Sequence, residues 1–101
     1  MSPTTPTDFQ LAPGQFERIA KALADGRRFA MLESIANQDD CPYQRLCEDF
    51  PVSKATVSHH MKELIGSGLI EREREGQCMV ARYRPEVMAA FTAELRRRLA
   101  G

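Results

Sequence analysis

The sequence predicts a mainly α-helical fold completed by a β-hairpin, on three observations. Apolar residues recur at helical spacing through Phe16, Ile19, Ala20 and Leu23, again through Phe29, Leu32, Ile35 and Ala36, and last through Val87, Met88, Phe91, Leu95 and Leu99. The stretch "LIEREREGQCMVARYRP" instead alternates with a period of two on either side of Gly76. Turn formers at Asp25-Gly26, "NQDDCP", Pro51 and Gly68 divide the helical part into about five pieces.

Residues 1–14 contain Pro3, Pro6, Pro13, Gly14 and three threonines, too little apolar surface to repay ordering, so a flexible arm is expected there. Residues 15–101 are expected to form one domain. Its first two helices meet at Asp25-Gly26. A short third helix is expected after "NQDDCP", with Asp40 or Cys41 as its N-cap and Pro42 in its first turn, where a missing N–H costs nothing. Pro51 closes it, Ser53 caps a fourth helix from Lys54 to about Ser67, and Gly68 stops that helix in a left-handed conformation. Helix, tight turn, helix is the local geometry of a helix-turn-helix. Pro85 ends the hairpin, and the last helix carries an apolar stripe that no later element covers, which implies a second chain.

At 101 residues and 43% hydrophobic, the chain can build a single modest core. It has no apolar run near the roughly 18 residues that span a bilayer, and its N-terminus lacks the basic and apolar regions of a signal peptide, so a cytoplasmic protein is expected. Three scattered cysteines, Cys41, Cys47 and Cys78, make no even disulfide framework. The formal net charge is zero, but unevenly spread: residues 1–50 carry five basic and eight acidic side chains, residues 51–101 nine and six. The halves therefore stand at −3 and +3, which ordinary solvated surface would also produce.

Within the fourth helix, Val57, Met61, Leu64 and Ile65 share a core face at about 100° per residue. His60 lies at the edge of that face and reads as a packed, hydrogen-bonded residue, whereas His59 points outward; adjacent helical positions cannot hold one metal ion together. The outward face, with Lys54, Ala55, Thr56, Ser58, His59 and Lys62, is polar and short-chained, suited to a major groove, while Arg72, Arg74, Arg82 and Arg84 of the hairpin suit phosphates or a minor groove. Glu71, Glu73 and Glu75 alternate with them, as they would in a salt-bridged exposed ribbon.

The run "VSKATVSHHMKELIGSGLIEREREGQCMVARYRP" resembles the recognition helix and wing of the ArsR/SmtB family of bacterial repressors, matching at Ser58, His60, Met61, Leu64, Gly68, Leu69 and "REREG". Upstream, "ALADGRRFAMLESI" resembles the family's "ALADPTRLRILxxL" at Asp25 and Arg28, with Gly26 in place of proline. The resemblance covers about residues 16–95. It implies a winged helix-turn-helix of about five helices and a two-stranded wing, acting as a homodimer whose first and last helices form the interface, here Phe16, Ile19, Leu23, Val87, Met88, Phe91 and Leu95. It also implies repression relieved by an inducer. The chain departs from the family at the inducer sites: the cysteine-x-cysteine pair of arsenic-sensing members falls at Pro42 and Gln44, and the last helix has no histidine for a zinc-type site.

The expectation is therefore a homodimeric, sequence-specific regulator of transcription that binds double-stranded DNA, not an enzyme and not bound to a membrane. Lys54, Ala55, Thr56, Ser58, His59 and Lys62 would meet the groove, and Arg72, Arg74 and Arg82 the backbone. No cofactor is expected; Cys41, Cys47 and Cys78 read as packed thiols, the alternatives being thiolate ligands for a soft ion such as arsenite, or redox sensors. The rival function is a winged helix that binds another protein, as an adaptor or anti-repressor. Facing-apart histidines, no spaced carboxylate pair and no phosphate loop leave catalysis without a site.

Overall fold

The computed structural model describes residues 9–100, which form α1 (Gln15–Leu23), α2 (Gly26–Ala36), β1 (Cys41–Pro42), α3 (Tyr43–Asp49), α4 (Lys54–Ser67), β2 (Ile70–Glu75), β3 (Cys78–Tyr83) and α5 (Pro85–Ala100). The start signals act as local chemistry requires. The Asp25 carboxylate accepts the Arg28 N–H at 3.0 Å and the Ser53 hydroxyl accepts the Thr56 N–H at 3.1 Å, each satisfying one of the free donors of a helix N-terminus. Gly68 closes α4 at φ 87° and Gly76 turns the hairpin at φ 64°, both in the left-handed region that a side chain disfavours.

The region around Pro42 departs from expectation. Cys41 and Pro42 do not start a helix; they form a short strand, paired antiparallel with Ala81 and Val80, and α3 begins one residue later at Tyr43. Pro42 at φ −63° and ψ 139° is extended, and it can sit in a strand because β1 lies at the sheet edge, where its missing N–H breaks no ladder. The two-stranded wing is thus part of a three-stranded antiparallel sheet in the order β1-β3-β2.

One core joins these elements. Ile19 of α1, Met31, Leu32 and Ile35 of α2, Leu46 of α3, Val57, Met61 and Leu64 of α4, Ile70 of β2 and Val87 of α5 are all buried. Each such aliphatic side chain contributes roughly 1.5–3 kcal/mol on leaving water, so the core, rather than helix propensity, holds the short helices in place. Of the stretch expected to be a flexible arm, residues 1–8 lie outside the described residues. Phe9 and Leu11 are half-buried and pack against the core, and the Ala12 N–H donates to the Gln15 side chain at 2.8 Å. Among the described residues no helix is long and apolar enough to cross a membrane.

Candidate nucleic-acid interface

α4 divides as its period requires. Val57, His60, Met61 and Leu64 are buried, Lys54, Ala55, Ser58, His59 and Lys62 are exposed, and Thr56 is half-buried with its hydroxyl 3.0 Å from that of Ser53. Five of the six helix residues expected to meet a groove therefore stand free on one surface. Ile65, expected in the core, is half-buried at its margin.

His60 is held as a structural residue. It is 7% exposed, and its Nδ1 accepts the Arg28 Nε–H at 3.2 Å. Arg28, also buried, extends Nη1 to the carbonyl of Ala22 at 3.4 Å, so one guanidinium ties the end of α1 to the recognition helix. Burial pushes the His60 pKa below its ordinary value, and the neighbouring positive charge of Arg28 acts in the same direction while Asp25 opposes it.

The wing arginines do not behave alike. Side chains alternate across a strand: Arg82 lies on the face with Glu71, Glu73 and Glu75, and Arg72 and Arg74 lie on the other. Arg82 pairs with Asp40 at 2.7 Å, with Glu75 at 3.2 Å and with Glu73, and lies 3.9 Å from Glu71. Arg82, expected to hold a DNA backbone, therefore has its charge already met by carboxylates, which would themselves repel phosphate. Arg72 and Arg74 are exposed and enter no ion pair among the described residues.

The residues expected at a dimer interface also divide. Ile19 and Val87 have no exposed surface and serve the chain's own core, so neither can touch a partner directly. Phe16, Leu23 and Met88 are half-buried, Phe91 is 7% exposed and Leu95 37%. The Phe16 and Phe91 rings lie 5.0 Å apart, and the Arg98 guanidinium covers Phe16 at 4.0 Å. Leu99, on the same apolar stripe but not among the residues expected at the interface, is 78% exposed.

The cysteines are dispersed in environment: Cys41 buried, Cys47 half-buried, Cys78 exposed on the wing. Burial pushes the Cys41 thiol pKa up, against the pull of a hydrogen bond from Gln38. Among the described residues, no three His, Cys, Asp or Glu side chains come together to hold a metal ion.

Sequence reasoning missed Arg18 and Tyr43, which line a recess of about 490 Å³ beside Ser58, Lys62 and Arg72. The available signal was Gly66, a glycine inside a helix, where it weakens the helix unless something must approach closely. Arg18 is what approaches: a Cβ on Gly66 would lie 2.8 Å from the Arg18 Cζ.

Comparison with known proteins agrees with this geometry. The MarR family profile matches residues 27–76, from α2 to the turn of the wing. The chain is 35% identical over 81 residues to the HTH-type transcriptional regulator Rv2034 of Mycobacterium tuberculosis, covering 80% of this chain and 75% of that one. It is 32% identical over 62 residues to the arsenical resistance operon repressor of Staphylococcus aureus, across 61% of this chain and 59% of the relative. Among solved structures, an ArsR-like transcriptional regulator from Rhodococcus sp. RHA1 superposes with a TM-score of 0.73 at 24% identity, covering 87% of this chain and 89% of that one. The homodimeric winged helix-turn-helix DNA-binding domain Mb0332 of Mycobacterium bovis superposes at 0.69 with 27% identity, covering 82% and 77%. A helix-turn-helix with an exposed polar recognition face, a wing bearing arginines without carboxylate partners among the described residues, and these relatives lead to one conclusion: the chain belongs to the ArsR family of winged-helix transcriptional regulators, DNA-binding proteins rather than enzymes.

Proposed function

We propose that the protein is a homodimeric, sequence-specific DNA-binding repressor that an inducer releases from its operator. The observation that carries this reading is the exposure of Lys54, Ala55, Ser58, His59 and Lys62 of α4 and of Arg72 and Arg74 of β2, all without carboxylate partners among the described residues, with Ser58, Lys62 and Arg72 lining one recess. Short polar side chains at the front of α4 would read base edges in the major groove while the arginines hold the flanking phosphates. Phe16, Leu23, Met88, Leu95 and Leu99 would meet a second copy, setting two recognition helices about one helical turn of DNA apart or a multiple of it. Homodimerisation of the Mycobacterium bovis domain supports the pairing, and the Staphylococcus aureus relative supports repression.

The inducer would not be held as in the arsenic-sensing pattern, since Pro42 and Gln44 stand at those positions. Fluorescence anisotropy on the duplex upstream of the protein's own gene, beside a scrambled duplex at moderate salt, tests the reading. Preference for the native duplex is expected, and addition of arsenite, zinc or peroxide then reports whether the cysteines act. Binding only at very low salt and without preference for any duplex would move the assignment to a protein-interaction module.

A further inference from the structure

Between the recognition helix and the wing lies the recess lined by Arg18 of α1, Tyr43 of α3, Ser58 and Lys62 of α4, and Arg72 of β2. Three cations line it, Arg18 from distant α1 and Lys62 and Arg72 from the consecutive α4 and β2, and none of them enters an ion pair among the described residues. Like charges gathered without a counter-ion repel one another, and an anion among them relieves that repulsion. The Tyr43 hydroxyl adds a second unmet demand: it is shut from solvent and has no hydrogen-bond partner among the described residues. A buried donor left unpaired is unfavourable, and this one belongs to a side chain that lines the recess. The remaining wall is apolar, formed by Met61 and Ile65.

We propose that this recess seats a phosphodiester of bound DNA, with Arg18, Lys62 and Arg72 around the phosphate and Ile65 against the adjoining deoxyribose. The inference rests on the DNA-binding reading and deepens it by adding α1 to the DNA-facing surface. The volume of about 490 Å³ exceeds what a bare phosphate fills, and the apolar wall suits sugar carbons, so a nucleotide unit of the backbone fits better than an inorganic ion. Gly66 is the enabling residue. It lets the Arg18 guanidinium cross α4 and reach the same recess as Lys62, where any larger residue would displace it.

The test is duplex binding as a function of salt for wild type, Arg18→Ala and Gly66→Ala, with Arg45→Ala as control because Arg45 already pairs with Asp49 on α3. Arg18→Ala should weaken native and scrambled duplexes alike by about tenfold near ~0.1 M salt, and make the log–log salt slope shallower by about 0.9, the signature of one phosphate no longer neutralised. Gly66→Ala should lose affinity in the same direction while its melting temperature holds or rises, since alanine is the better helix former. A merely structural Arg18 would not separate binding from stability in this way. Wild-type affinity and slope in Arg18→Ala overturns the proposal and leaves the DNA-binding reading standing. If the wild-type protein binds no duplex, that reading fails instead, and inorganic phosphate or pyrophosphate titrated at constant ionic strength decides the seat. Amide NMR shifts at Ser58, Gly66 and Arg72 that vanish in Arg18→Ala would assign it to a small phosphorylated ligand; no shifts would overturn it.

Discussion

On one face of the wing Arg82 is surrounded by Asp40, Glu71, Glu73 and Glu75, while on the other Arg72 and Arg74 have no carboxylate partner among the described residues. The three arginines share one hairpin and one side-chain chemistry. Register makes the difference: Glu71 stands opposite Arg82, whereas Arg72 stands opposite Ala81 and Arg74 opposite Met79. A charge whose partner is built into the neighbouring strand steadies the sheet, and a charge facing an apolar neighbour stays available for a ligand.

This contrast can be broken by mutation. The largest effect should come from Arg72→Ala combined with Arg74→Ala: a loss of about two powers of ten in affinity for every duplex, with a salt slope shallower by about 1.8. Arg82→Ala should leave that slope unchanged and reduce stability only slightly, as for other exposed ion pairs. An equal flattening per arginine removed in the double variant and in Arg82→Ala would erase the distinction between the two faces. On the reading helix, Ser58→Ala and His59→Ala should instead narrow the gap between native and scrambled duplexes, by about 1–3 kcal/mol for each base edge no longer read, with little change of slope.

Two further effects concern the support behind the reading face. Arg28→Ala removes the donor to His60 and to the Ala22 carbonyl, and chemical denaturation should register a loss of about 1–3 kcal/mol for buried groups left unpaired. Acidification should act on the same pair. The His60 pKa is lowered in the folded chain, so below the unfolded value near ~6.5 the unfolded chain binds more protons than the folded one. Stability should be fully present above that pH and decline as pH falls towards the folded pKa. Melting temperature against pH measures this, and a His60→Gln variant should show a flatter curve over the same window.

The helices, their caps at Ser53 and Gly68 and the hairpin about Gly76 were legible because each follows from a local rule: a period, a capping hydroxyl, a left-handed turn. β1 was not legible, since two residues are too few to display a period and their partners lie about forty positions away. Ile19 and Val87 show a further limit. Both lie on apolar stripes, and a stripe does not reveal whether it faces its own chain or another. Lys54, Ala55, Ser58, His59 and Lys62 fell where the helical projection put them because an exposed face needs only local geometry. The pairing of Arg82 with Asp40, and the convergence of Arg18 with Arg72, depend on the tertiary arrangement of distant segments, about which spacing says nothing.

β1 also bears on how tolerant the protein can be of its target. Through Cys41 and Pro42 the wing is hydrogen-bonded to the segment that leads into α3, so the hairpin is anchored to the helical body instead of swinging from its own base. The spacing between the recognition helix and the unpaired arginines is then set before any duplex arrives, which reduces the ordering required on binding. On the proposed reading such a molecule would work as a calliper, gripping only where the groove and the neighbouring backbone already stand, or can be bent, to its own fixed gauge, and would select for the shape and stiffness of DNA as well as for its bases.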